Sequence, residues 1–156
     1  MKDVIFSKVL KIIKSWKKTY FDFSQLGEEK IIDNLIERIS HKYNIEKFYV
    51  DIGGFSPIKF SNTYKLYQKG WSGIIVEPNP VKTKNWKIIR PKDFVINAAL
   101  VPESYSKEKI ELFKNDENDP TESPIRKDSK SKSYISKIIK ISDIELVYQK
   151  KKFKPF

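Results

Sequence analysis

A glycine turn between two apolar segments is the feature that most constrains the fold of this chain. The segment FYVDI, from Phe48 to Ile52, leads directly into Gly53 and Gly54, and a second apolar segment runs from Gly73 to Val76. A strand, a turn, a helix and another strand in this order predict a βαβ unit. Open α/β sheets bind ligands outside the carboxyl ends of their strands. We therefore expect a ligand site near this turn.

An acidic residue, Glu77, stands at the carboxyl end of the second predicted strand. Glycines after the first strand let the backbone approach a ligand, and a carboxylate after the second can hold the two vicinal hydroxyls of a ribose. Together these features predict a site for a cofactor that contains a nucleoside. A dinucleotide is disfavoured, because no Gly-x-Gly-x-x-Gly pattern follows the first strand.

Length and composition argue against several classes of protein. The 156 residues suit one domain, and no stretch approaches the roughly 18 to 20 apolar residues that span a bilayer. The chain has no cysteine and one histidine, His41, so we expect no disulfide, no metal site and no Ser-His-Asp triad. The amino terminus lacks the pattern of a secretory signal, and we expect a cytoplasmic protein.

The net charge of +11 is typical of proteins that bind nucleic acid. However, only three of the 31 basic residues are arginines, namely Arg38, Arg90 and Arg126. Base recognition and bidentate phosphate contacts favour arginine over lysine. We therefore predict no specific nucleic-acid partner and interpret the lysines as a solvated surface.

The first unit of the chain, residues 1–20, is predicted to be a basic amphipathic helix. The apolar residues of its first 18 positions fall on one arc: Ile5, Phe6, Val9, Leu10, Ile12, Ile13 and Trp16. Lys8, Lys11, Lys14 and Lys18 fall on the opposite arc. Two interpretations remain open. The apolar arc packs on its own domain or on a partner, or residues 1–18 make a peripheral contact with an anionic membrane.

The second unit, residues 21–156, alternates helices and strands. We predict helices at 28–41, 63–69 and 143–150, and strands at 48–52, 73–76, 94–100, 109–113 and 135–141. The first helix carries Ile31, Ile32, Leu35, Ile36 and Ile39 on one side. Its first-turn acids, Glu28 and Glu29, are interpreted as surface charges that complement the helix dipole. The polar segment at about 115–133 is predicted to be a long exposed loop, either disordered or facing a substrate.

A longer stretch of this unit resembles a known family. The run VDIGGFSPIKFSNTYKLYQKGWSGIIVEPNP, followed by Arg90-Pro91-Lys92-Asp93 and INAAL, resembles the amino-terminal half of FkbM-type methyltransferases, which use S-adenosylmethionine. The resemblance extends from about Ser24 to the end of the chain. It implies an α/β fold, a Rossmann-like class I methyltransferase sheet with flanking helices, here incomplete with about four strands.

The resemblance also implies which residues hold the cofactor. Asp51, Gly53 and Gly54 would form the turn beneath its methionine part, where a Cβ would obstruct the approach and a positive φ favours glycine. Glu77 would accept hydrogen bonds from the ribose hydroxyls.

Further along, the resemblance assigns the cofactor's carboxylate to Ser61, Asn62 and Thr63, at the start of a helix. It assigns the adenine edge to Asn97 and Ala98. From the residues alone, alternatives stay open: Ser61 and Asn62 also suit helix caps, and Asn97 also suits a turn at the end of a strand.

The resemblance stops before the segment in which family members continue with Asp-x-Glu-Gly, so we assign no catalytic base. We expect a fragment or a short natural form, whose half sheet leaves an open strand edge and an uncovered apolar face. The implied reaction is O-methylation of a small-molecule or glycan hydroxyl. The alternative is a non-catalytic relative that acts as a binding module at a membrane surface or on a partner protein.

Overall fold

The computed structural model describes residues 23–114 and 132–151, which form a mixed α/β structure with two three-stranded sheets. The first sheet contains β1 (Phe48–Ile52), β2 (Ser72–Val76) and β3 (Phe94–Ile96), side by side in that order and all parallel. The second contains β4 (Ala99–Leu100), β5 (Lys109–Lys114) and β6 (Lys132–Ile139). In it, β6 is central, parallel to β4 and antiparallel to β5.

The described helices are α1 (Glu28–Ser40), α2 (Tyr64–Gln68), α3 (Pro80–Thr83), α4 (Trp86–Ile89) and α5 (Ile141–Lys151). Because α2 connects the parallel strands β1 and β2, the predicted βαβ unit is confirmed. The predicted amino-terminal helix lies outside the described residues, as does most of the predicted loop at about 115–133.

The prediction of one strand over 94–100 is wrong, because the chain turns at Asn97 and Ala98. The Ala98 N–H donates to the Ile96 carbonyl at 3.1 Å, which closes a tight turn between β3 and β4. On one side of the turn β3 pairs with β2, and on the other β4 pairs with β6. A single short segment therefore passes from the first sheet to the second.

Two apolar clusters pack on opposite faces of the first sheet. Successive residues of a strand point to opposite faces, so Ile75 enters one cluster while Ile74 and Val76 enter the other. The first cluster also contains Tyr49, Leu66, Trp71 and Trp86, and the second contains Ala98, Ile139 and Ile144. Strand β2 is consequently the centre of the described core.

Strand β1 has an open edge. Within residues 23–114 and 132–151 it pairs only with β2, and Val50 and Ile52 are 42% and 49% exposed. Their register partners on β2, Ile74 and Val76, are fully buried. The expected open edge and partly uncovered apolar face are therefore present in the described part of the chain.

Helix α1 carries two buried acids, which sequence analysis did not predict. Glu29 is 2% exposed and accepts hydrogen bonds from the backbone N–H groups of Phe23 and Ser24, both at 3.1 Å. Its interpretation as a surface charge is wrong, because the chain entering the helix folds over it. One turn later, Asp33 forms ion pairs with Lys65 at 2.8 Å and with Lys69, and so ties α1 to α2.

Asp33 makes the stability of this helix contact depend on pH. Hydrogen bonds from Lys65 and Lys69 lower the pKa of Asp33. Its stabilisation is therefore complete above the unfolded value of about 3.9 and is lost as the pH falls below it. Because the lysines are half exposed, we expect Asp33→Asn to cost about 1 kcal/mol at pH 7.

Urea unfolding followed by tryptophan fluorescence measures this cost as a function of pH. The difference between the wild-type chain and Asp33→Asn should shrink below pH 4 or so. Glu37→Gln, at an exposed acid on the same helix, provides the matched control and should not reproduce this dependence. A difference for Asp33→Asn that stays constant from pH 7 to pH 3 would contradict the assignment.

Candidate functional site

The glycine turn after β1 lies against the carboxyl end of β2. The N–H groups of Gly53 and Gly54 donate to the Val76 carbonyl at 2.8 and 3.3 Å. Gly53 has a φ of +74°, a conformation that favours glycine, and a Cβ there would meet no described atom within 4 Å. Open space therefore borders the turn at Gly53, where the resemblance places the methionine part of a cofactor.

Gly54 is required by packing. A Cβ at this position would lie 2.6 Å from Cγ2 of Ile75 and 3.0 Å from the Trp86 ring. Such distances require displacement of the core beneath the turn. The close approach that demands glycine here is therefore to the protein interior, a reason that the sequence analysis did not identify.

Glu77 follows β2 directly, and its carboxylate lies beside the residues that follow the glycine turn. Oε2 accepts the Phe55 N–H at 2.8 Å, and Oε1 accepts the Asn79 N–H at 2.9 Å. The residue is only 3% exposed. Two backbone donors, one on each oxygen, hold the carboxylate in place. A carboxylate has about four acceptor positions in all.

The loop over Glu77 contains two residues in an unusual conformation. Phe55 and Phe60 have φ values of +49° and +58°, and their ring centroids are 5.7 Å apart. Lys82 of α3 places Nζ 4.4 Å from the centroid of Phe55. Positive φ at a bulky residue costs energy and occurs often at functional sites. Sequence analysis missed this arrangement, since neither phenylalanine carries a local pattern that predicts positive φ.

Asp51, on β1, faces the interior rather than open solvent. Its Oδ2 accepts the Thr63 hydroxyl at 2.5 Å, and the same Thr63 oxygen accepts from Arg90 Nη2 at 2.9 Å. Burial raises the pKa of Asp51, and the hydrogen bond from Thr63 opposes that shift. Thr63 thus connects the acid of the first strand to a buried guanidinium.

The Ser61, Asn62 and Thr63 group is divided by the fold. Ser61 is 1% exposed and accepts Arg90 Nη1 at 3.1 Å, whereas Asn62 is exposed. The alternative interpretation of Ser61 and Asn62 as helix caps is wrong, because the residue before α2 is Thr63 and no side chain caps the helix. Two of the three side chains therefore point to Arg90.

Arg90 is fully buried and is the centre of a polar network. Its Nε donates to Asp93 Oδ2 at 2.6 Å, and its Nη2 donates to the Tyr49 hydroxyl, also at 2.6 Å. The Tyr49 hydroxyl donates in turn to Asp93 Oδ1 at 2.7 Å. Burial raises the pKa of Asp93, while the charge of Arg90 opposes the shift. Sequence analysis named Arg90 among the arginines and Arg90 and Asp93 within the resemblance, but it gave neither residue a role.

Asn97 lies next to the site, and Ala98 lies in the core. The Asn97 side-chain amide donates to the carbonyls of Glu77 and Pro78 at 2.8 and 2.9 Å, so it fixes the segment after β2. This contact supports the interpretation of Asn97 as a turn residue. Ala98 is 4% exposed and packs in the second cluster. The structure thus brings Asp51, Gly53, Gly54, Glu77 and Asn97 to one end of the first sheet.

Over residues 23–114 and 132–151, no group of three or more His, Cys, Asp or Glu side chains is arranged to hold a metal ion. In the same ranges, no helix has the length and apolar character needed to cross a bilayer.

Comparison with known proteins finds no matching family model, no matching curated protein and no matching solved structure. The function is therefore argued from the geometry of this site.

The buried pair of Arg90 and Asp93 predicts a large stability effect. Arg90→Met would leave the Asp93 carboxylate buried without its cation, and we expect a loss of about 3–5 kcal/mol in unfolding free energy, or failure to fold. Adding Asp93→Asn should recover part of that loss, because it removes the uncompensated charge.

Urea denaturation of the wild type, of Arg90→Met and of the double variant Arg90→Met/Asp93→Asn measures these effects. Lys87→Met, at an exposed cation on the same short helix as Trp86, is the matched control and should change stability by less than about 0.5 kcal/mol. A loss below about 1 kcal/mol for Arg90→Met would show that the network contributes little.

Proposed function

We propose that this chain is an S-adenosylmethionine-dependent methyltransferase of the FkbM type, or the cofactor-binding part of one. One observation carries the proposal. The Glu77 carboxylate stands at the carboxyl end of β2, directly beside the glycine turn that ends the parallel neighbour β1. This is the place where open α/β sheets bind ligands.

The residues at this end of the sheet fit the chemistry of the cofactor. Glu77 supplies acceptors for two ribose hydroxyls, and its backbone contacts already orient the carboxylate. Gly53 borders open space that suits an extended chain, while Asp51 at the end of β1 is hydrogen-bonded to Thr63 in the interior. Asn97 holds the segment after Glu77 in place. Ser61 and Thr63 are hydrogen-bonded to Arg90. Of the three residues assigned to the cofactor's carboxylate, only Asn62 is exposed and able to meet it.

When bound, the cofactor would supply an electrophilic methyl group; an acceptor oxygen would form the new C–O bond in line as the C–S bond of the sulfonium breaks and the neutral thioether leaves. The contribution of the described residues is to hold the donor in a fixed position relative to that oxygen. We propose a small-molecule or glycan hydroxyl as the acceptor, no specific nucleic-acid partner, and action in the cytoplasm. We assign no catalytic base.

Binding of the ribose requires a change at the loop over Glu77. The carboxylate is 3% exposed and accepts the Phe55 N–H, so the residues from Phe55 to Phe60 must move to admit the hydroxyls. Each positive φ at these phenylalanines costs about 1–3 kcal/mol. This energy is recovered when the loop moves and the residues leave that conformation, so it offsets part of the cost of the movement.

A second candidate function is a non-catalytic binding module that acts on a partner protein or a membrane surface. The open edge of β1, with Val50 and Ile52 half exposed, favours it. An exposed strand edge can accept a strand from another chain. Such a module would need no cofactor, and this difference separates the two candidates.

Isothermal titration of the full chain with S-adenosylmethionine tests the proposal. We expect binding by the wild-type chain and a loss of about 10- to 100-fold in affinity for Glu77→Gln, since hydrogen bonds to a charged group contribute about 1.5–3 kcal/mol. Adenosine should compete for the site, because the diol is the group that Glu77 recognises.

Glu145→Gln, at an exposed acid on α5, removes the same charge away from the site and should bind like the wild type. Circular dichroism of each variant checks that it is folded. Absence of binding by the wild-type chain would remove cofactor binding and leave the binding module as the better candidate, whereas equal affinities for the wild type and Glu77→Gln would remove the role assigned to Glu77.

A further inference from the structure

A second cavity lies at the end of the first sheet opposite to Glu77. It has a volume of about 620 Å³ and lies between the carboxyl-terminal half of α1, the connection from α1 to β1, and the turn between α2 and β2. Its lining residue Trp71 comes directly before β2, whereas Glu77 follows that strand. Since β2 has five residues, it separates the two places by about 16 Å. The volume falls within the roughly 300–1,000 Å³ of small-molecule sites.

The inner surface of this cavity is apolar and aromatic. Trp71 is 8% exposed and belongs to the first core cluster, and Ile36 and Ile45 pack against that cluster. Tyr43, which also lines the cavity, is 56% exposed. Because the floor is part of the packed core, a flat apolar group can bind on it without a change of fold. Such binding removes apolar surface from water and favours a ligand with an apolar body.

The polar groups around the cavity carry an excess of positive charge. Asp33 lines the cavity, but it is already paired with two lysines. Two other lining lysines, Lys42 and Lys47, form no ion pair with any described residue, and Glu37 is the remaining acid of the lining. Charge complementarity therefore favours an anionic ligand over a cationic one.

The connection between α1 and β1 adds uncharged donors. The backbone N–H groups of Asn44 and Ile45, two lining residues, donate to no acceptor in the described part of the chain. In the same connection, the Lys42 ammonium lies 5.2 Å from the centroid of the Tyr43 ring. Ammonium and amide donors next to an aromatic ring suit a ligand that joins an aromatic body to an anionic group.

We propose that this cavity binds a small aromatic anion, namely a ring system that carries a carboxylate, sulfate or phosphate group. The ring lies on the floor formed by Trp71 and Ile36, and the anionic group contacts Lys47 and the free N–H groups of the α1–β1 connection. The site is independent of the proposed cofactor site, since the residues that line the cavity do not include Glu77 or the glycine turn.

Titration of the isotope-labelled full chain with naphthalenesulfonate, followed by NMR, tests this proposal. The matched ligand is naphthalenesulfonamide, which keeps the ring and loses the charge. We expect the sulfonate to shift the indole signal of Trp71 and the amide signals of Asn44 and Ile45. It should bind about fivefold more tightly than the sulfonamide, a modest factor because contacts of exposed lysines are individually weak.

Two double variants assign this preference to the cavity. Lys42→Gln/Lys47→Gln should bind both ligands with nearly the same affinity, because it removes the two lysines that favour the anion. Lys107→Gln/Lys137→Gln removes the same charge at exposed lysines outside the cavity and should keep the preference of the wild type. Circular dichroism of both variants checks that they are folded.

Three outcomes would overturn the proposal. The first is equal affinity of the wild type for the two ligands, or no binding of the sulfonate. The second is a preference for the sulfonate that persists in Lys42→Gln/Lys47→Gln. The third is a set of shifted signals at Gly53 and Glu77 without Trp71, which would place the ligand at the other end of the sheet. None of these outcomes decides whether S-adenosylmethionine binds, because that is measured by a separate titration.

Discussion

The ion pair between Arg90 and Asp93, buried in the described core, connects the segments that build the candidate site. Asp93 accepts the Gly73 N–H at the start of β2, and Arg90 binds Tyr49 of β1 and Thr63 before α2. A buried charge is tolerated only when its hydrogen-bonding groups are satisfied. Displacing any one of these segments would therefore leave a charged or polar group without a partner in the interior.

The same network determines which polar groups remain for a ligand. Trp86 stacks on Arg90, with 4.6 Å between the guanidinium carbon and the ring, and also fills the space beneath Gly54. The glycine turn thus rests on the aromatic surface that covers the guanidinium. Meanwhile Arg90 uses the hydroxyls of Ser61 and Thr63 for its own hydrogen bonds. These two hydroxyls are therefore engaged by the buried guanidinium in this structure.

Local patterns in the sequence predicted part of this architecture. Strand β1, helix α1 and the glycine turn followed from apolar spacing and glycine placement, which depend on neighbouring residues. The sequence left a turn at Asn97 as an alternative but could not decide for it, because the Asn97 amide binds carbonyls about twenty positions earlier. The partners of Arg90 could not be predicted for the same reason, since Thr63 and Tyr49 are far away in the sequence. Contacts of this kind arise only when the strands are assembled.

Glu77 depends both on a local sequence pattern and on contacts that are distant in the sequence. Its place after β2 is a local feature, but its environment comes from the loop that crosses from the other strand. Phe55 offers one N–H to this carboxylate while its own backbone holds a strained conformation. A ligand with two adjacent hydroxyl donors would replace that single donor and release the strain in the loop. Under the proposed function, a diol that displaced the Phe55 N–H would offer this carboxylate two donors in exchange for one.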